Sequence, residues 1–170
     1  MSGMGSHQQH GRGERVWLTP PEIIDACGPF DLDPCFGGDR PWDTAARHYG
    51  PDTADGLGGL HADWSGFVWC NPPYDAKAFA WLEKCADHGN AIALVFARTE
   101  VREFHRQVWE KADCLLFLEG RLYFHRPDGT RAPHNSGAPS VLVGYGSQAC
   151  QRLRNCGLKG HYQSLDRLKP

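Results

Sequence analysis

The chain contains, at residues 67–74, the segment Phe67-Val68-Trp69-Cys70-Asn71-Pro72-Pro73-Tyr74. Its apolar first half predicts a short buried strand, and the amide and two prolines that follow end that strand. Polar side chains therefore follow the carboxyl end of a strand. Open α/β sheets bind their ligands at that edge.

The residues after this strand favour the binding of an amino group. Pro72 and Pro73 fix their φ angles and lack backbone donors, so the turn presents rigid carbonyl acceptors. The side-chain oxygen of Asn71 is a further acceptor beside them. Tyr74 supplies a flat ring on which a nucleic-acid base can stack. Together these groups predict a site for adenine or a similar amine, although the same residues would also form an ordinary turn.

A second strand and turn lie upstream. Residues 30–34 (Phe-Asp-Leu-Asp-Pro) predict the first strand, and residues 35–38 (Cys-Phe-Gly-Gly) predict a glycine-rich turn. Glycines lack side chains, so a nucleoside can approach the backbone of such a turn closely. The Asp33 carboxylate at the strand end could accept hydrogen bonds from a positively charged amino group.

The two turns together resemble a known family. Asn71-Pro72-Pro73-Tyr74 is similar to the catalytic motif of S-adenosylmethionine-dependent amino-methyltransferases, and residues 33–38 are similar to their Asp-Pro-x-x-Gly-Gly cofactor motif. Over roughly residues 17–146 the chain resembles the small phage-type DNA N-6-adenine methyltransferases. Relatives that act on RNA bases or on protein glutamine share the catalytic motif. The sequence therefore leaves three alternatives, namely methylation of an RNA base, methylation of a protein glutamine, and a nucleotide-binding or DNA-binding module without catalysis.

The resemblance implies a compact, Rossmann-like class I methyltransferase fold of the α/β class. Its sheet would be mostly parallel and flanked by helices, with an antiparallel C-terminal part. S-adenosylmethionine is the implied cofactor and DNA the implied partner. Catalysis is implied for Asn71, Pro72, Pro73 and Tyr74. The implied cofactor contacts are Thr19, Pro20, Asp33, Pro34, Cys35 and Gly37.

Between the two motifs the sequence departs from the family pattern. A full methyltransferase core places two βα units there, and residues 39–63 are too few to hold both. We expect a helical turn at residues 42–48 and a loop at residues 50–59. Asp55 is the candidate for the acid that binds the cofactor's ribose. Asp63 and Trp64 could bind the cofactor's adenine, or could lie in a surface loop.

The remaining pattern predicts alternating helices and strands. Thr19 as N-cap, Pro20 at the first helical position and Glu22 three residues after the cap form a capping box, so a helix is expected to run to Cys27. A helix over residues 75–87 and an apolar strand over 91–97 complete a βαβ unit with the catalytic strand, which indicates a mostly parallel sheet. Further helices are expected at residues 99–111 and 147–156, and further strands at 114–118, 120–125 and 139–145.

Basic residues concentrate after the catalytic motif. Residues 1–97 contain 6 Lys and Arg against 13 Asp and Glu, whereas residues 98–170 contain 12 against 7. The basic half suits an approach to phosphates, although chance asymmetry on a solvated surface would look the same. Arg98 and Arg121 are the predicted substrate contacts, and loops such as residues 120–138 would provide any sequence preference.

Composition predicts one domain over residues 16–170 after a disordered tail at residues 1–15. Its 41% hydrophobic and 22% charged residues are typical of globular proteins. Neither a membrane-spanning run nor a leader peptide is visible, so we expect a cytoplasmic protein. The seven cysteines form no Cys-x-x-Cys pair and the histidines are scattered, from which we predict reduced thiols and no metal. Oligomeric state stays open.

Overall fold

The computed structural model describes residues 16–50, 56–74 and 77–165. Its strands are β1 (Leu32–Asp33), β2 (Arg47–His48), β3 (Val68–Cys70), β4 (Ala91–Phe96), β5 (Cys114–Leu118), β6 (Ser140–Tyr145) and β7 (Gly160–Ser164). Its helices are α1 (Pro21–Cys27), α2 (Gly58–His61), α3 (Ala78–His88), α4 (Arg102–Phe104) and α5 (Ser147–Asn155). A π-helical segment, His105–Trp109, continues α4.

The described strands form one mixed sheet in the order β2-β1-β3-β4-β6-β5-β7. The first four are parallel to their neighbours, with Leu32 opposite Val68 and Val68 opposite Ala91. The pairs β4–β6, β6–β5 and β5–β7 are antiparallel. The protein is therefore of the predicted α/β type, and the carboxyl-terminal part of the sheet is antiparallel as expected. The sheet as a whole is not mostly parallel, because only the pairings in its amino-terminal half are parallel.

Helices cover both faces of this sheet. In β4, Ala91, Ala93 and Val95 pack in a cluster with residues of α3 and α4, whereas Ile92 and Leu94 pack in a second cluster with residues of α1 and α5. Successive side chains of a strand point to opposite faces, so β4 is apolar throughout. This explains why a continuous apolar run predicted the strand correctly.

Chain order around β1 creates a crevice in the sheet. From β1 the chain passes to β2 on one side and then to β3 on the other side. Open α/β sheets bind ligands at such a topological switch point, outside the carboxyl ends of the strands. The turns that follow β1 and β3 lie at this point.

The predicted capping box at the first helix is wrong. Helix α1 has Pro20 as its N-cap and no side-chain cap bond. The Thr19 hydroxyl instead accepts a hydrogen bond from the side-chain amide of Asn71. A distant partner has replaced the local partner that the sequence pattern suggested.

Three further local predictions are wrong. Residues 42–48 do not form a helical turn, because Arg47 and His48 pair with β1 as strand β2. Residues 120–125 do not form a strand, and His125 makes only isolated bridges with Leu18 and Arg131. The helix predicted from residue 99 begins at Arg102. Strand β7 was not predicted.

Some expectations fall on residues outside the described ranges. These are the tail at residues 1–15, Asp55, and Asp75 as the cap of the third helix. Among the described helices, none has the length and apolar character needed to cross a membrane.

Candidate active site

The turns after β1 and β3 meet in one cleft. Because these strands are adjacent and parallel, both turns lie at the same edge of the sheet, and the Sγ atoms of Cys35 and Cys70 are 3.6 Å apart. The cleft has a volume of about 510 Å³. Nine of the predicted site residues line it, namely Thr19, Asp33, Pro34, Cys35, Gly37, Asn71, Pro72, Pro73 and Tyr74.

The Asn71 side chain is held at both ends of its amide. Its Nδ2 donates to the Thr19 hydroxyl at 3.2 Å, and its Oδ1 accepts from the Tyr74 hydroxyl at 3.1 Å. Thr19 is only 2% exposed, so its position is fixed by packing. An amide oxygen has two lone pairs. Asn71 therefore keeps one acceptor site toward the cleft.

The Tyr74 ring is wedged between aromatic side chains. It stacks on Phe96 with 4.4 Å between ring centroids and meets Phe124 edge-on at 5.8 Å. Although 36% of Tyr74 is exposed, the surrounding protein desolvates the phenol and raises its pKa above the ordinary value. The hydroxyl is therefore neutral near pH 7 and acts as a donor to Asn71.

The Asp33 carboxylate organises the glycine-rich turn. It is 2% exposed, and its Oδ1 accepts from the backbone N–H of Cys35 at 2.9 Å. Its Oδ2 accepts from Arg40 Nη1 at 3.2 Å and from the Thr44 hydroxyl. The predicted cofactor acid is thus already paired with a cation.

Arg40 was missed by the sequence reasoning. Its guanidinium lies in the cleft lining, 4.3 Å from the centroid of the Phe36 ring. A signal was present in the sequence, because Arg40 is the only Lys or Arg between residues 16 and 46. Two tryptophans of the lining were also missed, Trp17 and Trp81.

The two cysteines at the strand ends are protonated thiols. Burial raises the pKa of Cys35 to about 11, and burial also raises the pKa of Cys70 well above its usual value. The thiolate is the nucleophilic form of cysteine. Neither side chain is therefore suited to nucleophilic catalysis at neutral pH.

A smaller aromatic pocket of about 180 Å³ adjoins the cleft. Trp17 and Tyr74 line both cavities. The other walls of this pocket are Phe96, Phe124, Arg126 and residues 132–137. Its lining can hold a flat, largely apolar group beside the Asn71 amide.

Arg121 fixes the segment that borders this pocket. Its Nη1 donates to the carbonyls of Gly137 at 2.9 Å and Ser136 at 3.4 Å. Arg98 is exposed and follows Phe96 by two residues at the end of β4. Arg98 thus follows a residue of the pocket lining without lining the pocket itself, and Arg121 is engaged with the backbone of the loop.

The remaining predicted cofactor residues do not line the cleft in its described part. Pro20 is buried as the N-cap of α1. The Asp63 side chain is exposed, and its carbonyl accepts from the Tyr49 hydroxyl at 3.3 Å. Trp64 stacks on Trp81 with 6.3 Å between ring centroids, so it packs against a residue of the lining.

Other proteins were compared with the chain. A protein-family model described as DNA N-6-adenine-methyltransferase (Dam) matches residues 6–151, a span that includes both motif turns. This match confirms the family resemblance. No curated protein and no solved structure matches the chain significantly. Within the described residues, no group of three or more His, Cys, Asp or Glu side chains could hold a metal ion.

Proposed function

Because the chain belongs to the DNA N-6-adenine-methyltransferase (Dam) family, we propose that it transfers a methyl group from S-adenosylmethionine to the exocyclic amino group of adenine in DNA. One observation carries this proposal. The turn after β1 and the Asn71-Pro72-Pro73-Tyr74 turn after β3 line a single cleft. A methyl donor over the first turn would face an amino group held by the second.

The residues of the cleft fit the cofactor. A volume of about 510 Å³ lies within the usual range of small-molecule sites. Two buried donors in the lining, Arg40 Nε and Trp81 Nε1, have no partner among the described residues. Buried polar groups are normally hydrogen-bonded. Their presence in the lining therefore supports a polar ligand there.

The glycine-rich turn packs closely against another part of the cleft lining. A Cβ atom on Gly37 would lie 2.7 Å from a methyl carbon of Val16, so a larger residue here would displace the Val16 side chain, which also lines the cleft. The seven-stranded sheet with helices on both faces supports the Rossmann-like class I methyltransferase fold that the family resemblance implies. When bound, the cofactor would supply an electrophilic methyl group on its sulfonium sulfur.

The adenine amino nitrogen is a poor nucleophile because its lone pair is delocalised into the ring. Asn71 Oδ1 and the Pro72 carbonyl would accept its two hydrogens, favour a pyramidal nitrogen and aim the lone pair at the methyl group. Among the described residues no donor is bonded to the Pro72 carbonyl, which supports its availability. Positioning and electrostatics would then supply most of the rate enhancement.

The aromatic pocket would hold the target base. An adenine inside duplex DNA must be turned out of the stack, at a cost of a few kcal/mol. Stacking on an aromatic side chain contributes about 1–3 kcal/mol per base, which offsets that cost. Tyr74 would provide this surface with the ring face that is not stacked on Phe96, at the junction of the two cavities.

The chemistry needs no strong base at this site. The amino nitrogen would bond to the methyl carbon as the S–CH₃ bond breaks, with the bonding pair left on the sulfur of the departing thioether. The nitrogen would then release one proton to solvent. Burial raises the pKa of Tyr74, so its hydroxyl stays protonated and acts through the Asn71 amide. Arg98 is proposed to contact the DNA backbone, since it is exposed and follows the pocket residue Phe96 by two positions.

The test is incubation of the protein with methyl-labelled S-adenosylmethionine and plasmid DNA, followed by nucleoside analysis. We expect label in N6-methyldeoxyadenosine and its loss in Asn71→Ala. Asn155→Ala is the matched control, because Asn155 is an exposed residue at the end of α5. Absence of label from N6-methyldeoxyadenosine, or transfer that persists in Asn71→Ala, would overturn the proposal.

A further inference from the structure

We propose that Arg40 binds the carboxylate of the cofactor's amino-acid end. This inference rests on the proposed function and adds a binding residue to it. Asp33, beside Arg40, would accept the neighbouring ammonium group. The pair would thus recognise both charges of a zwitterion.

The first support is the location of charge in the cleft. Among its described lining residues, Asp33 and Arg40 are the only ones that carry a formal charge at neutral pH. The amino-acid end of the cofactor has one negative and one positive group. Buried charges require partners. The charged end of the ligand is therefore expected beside this pair, with the nucleoside along the uncharged remainder.

The second support is the pattern of used and unused donors on Arg40. A guanidinium has five N–H donors in a fixed fork. Nη1 donates to Asp33 and Thr44, at 3.2 and 3.1 Å. Nε is buried without a partner, and the described residues give Nη2 no partner either. Nε and Nη2 form the side of the guanidinium that binds a carboxylate with two parallel hydrogen bonds.

The third support is that Arg40 is already held in place. Its side chain is 7% exposed, and its guanidinium lies over the Phe36 ring. A preorganised arginine loses little further freedom when it binds a ligand. The unpaired edge is therefore a rigid anion site and not a mobile surface charge.

A simpler role for Arg40 is to neutralise Asp33 and so stabilise the glycine-rich turn. The two roles differ in one measurable respect. A structural arginine would support every ligand of the cleft equally. A carboxylate-binding arginine would distinguish ligands that differ only in the carboxylate.

The test is calorimetric binding of two probes, S-adenosylmethionine and its decarboxylated analogue. We expect the unmodified protein to bind S-adenosylmethionine about tenfold to a hundredfold more tightly than the decarboxylated analogue. This is the usual effect of a hydrogen bond to a charged group on a dissociation constant. Arg40→Met should abolish this preference by weakening the binding of S-adenosylmethionine alone. Equal binding of both probes by the unmodified protein, or equal weakening of both by Arg40→Met, overturns the proposal.

Thr44→Val is the matched control, since it removes hydrogen bonds to Asp33 and Arg40 and leaves the guanidinium in place. Its preference for the carboxylate should stay within about twofold of the unmodified protein, because a lost neutral hydrogen bond changes little in the ligand contact itself. If Thr44→Val lost the preference for the carboxylate, the preference would depend on the conformation of the turn, and the proposed role of Arg40 would be overturned. If Arg40→Met does not fold, the two probes are compared on the unmodified protein alone, and equal binding of both overturns the proposal.

These outcomes separate the inference from the proposed function. If the unmodified protein binds both probes equally and methylates DNA, only the role of Arg40 fails. If it prefers the carboxylate and methylates no DNA, only the proposed function fails. If it binds neither probe, both fail.

Discussion

Thr19→Val tests whether a buried hydroxyl orients the proposed catalytic amide. Valine keeps the shape of threonine and removes the oxygen that accepts from Asn71 Nδ2 at 3.2 Å. A neutral hydrogen bond contributes about 1 kcal/mol net. Asn71 is half-buried, so its amide can turn toward water, and the loss should stay near that value.

The expected result is a lower kcat with nearly unchanged cofactor affinity. A loss of about 1 kcal/mol corresponds to a five- to tenfold slower methylation step. The same loss would lower the Tm by about 2–4 °C. Steady-state methylation of DNA measures kcat, calorimetry measures cofactor binding, and thermal unfolding measures stability. Thr19→Ser, which retains the hydroxyl, should restore most of the rate.

A double-mutant cycle decides whether Thr19 acts through Asn71. If it does, Thr19→Val should cost nothing further once Asn71→Ala has removed the amide, because the effects of residues that act through one contact are not additive. Additive losses would refute the reasoning. So would weaker cofactor binding at unchanged kcat, which would make Thr19 a direct cofactor contact.

Three other predictions follow from the site. Tyr74→Ala should weaken binding of DNA with a flipped base by about 1–3 kcal/mol, the usual value of one stacked base, and anisotropy of labelled DNA measures this. Arg98→Ala should reduce the slope of log Kd against log salt by about one phosphate contact, whereas Arg121→Ala should instead loosen the segment at residues 136–137, as hydrogen exchange would show. Cys35 should react slowly with iodoacetamide at pH 7.5 and faster as the pH approaches about 11, because its raised pKa keeps the thiol protonated at neutral pH.

Each of these predictions can fail. Unchanged DNA binding in Tyr74→Ala would exclude stacking, with Tyr74→Phe as the control that keeps the ring. A salt slope unaffected by Arg98→Ala would exclude a phosphate contact. Fast alkylation of Cys35 at pH 7.5, measured by mass spectrometry, would contradict its raised pKa.

Sequence patterns predicted the buried strands well. The strands at residues 91–96, 114–118 and 140–145 are largely continuous apolar runs. They are apolar on both faces because both faces of the sheet are covered by helices. The two motif turns were also found correctly at strand ends, because prolines and glycines mark such turns locally. Where local chemistry determines the conformation, the sequence was sufficient.

Tertiary pairing decided the rest. Strand β2 has only two residues and exists because β1 offers it a free edge. Strand β7 is mostly polar and pairs with β5, so its sequence has no apolar pattern that would predict a strand. Thr19 found a partner 52 residues away in place of its expected cap. Arg40 was recognisable as an isolated cation, but only the structure shows which of its nitrogens are unused.

Tyr74 and Trp17 belong to the walls of both cavities, and this shared boundary would link the two proposed ligands energetically. A base that moves the Tyr74 ring changes the space left to the methyl donor, and the donor acts on the base through the same ring. Thermodynamic linkage requires the two effects to be equal in size. If bound cofactor raises the affinity for DNA by a given factor, bound DNA raises the affinity for the cofactor by the same factor.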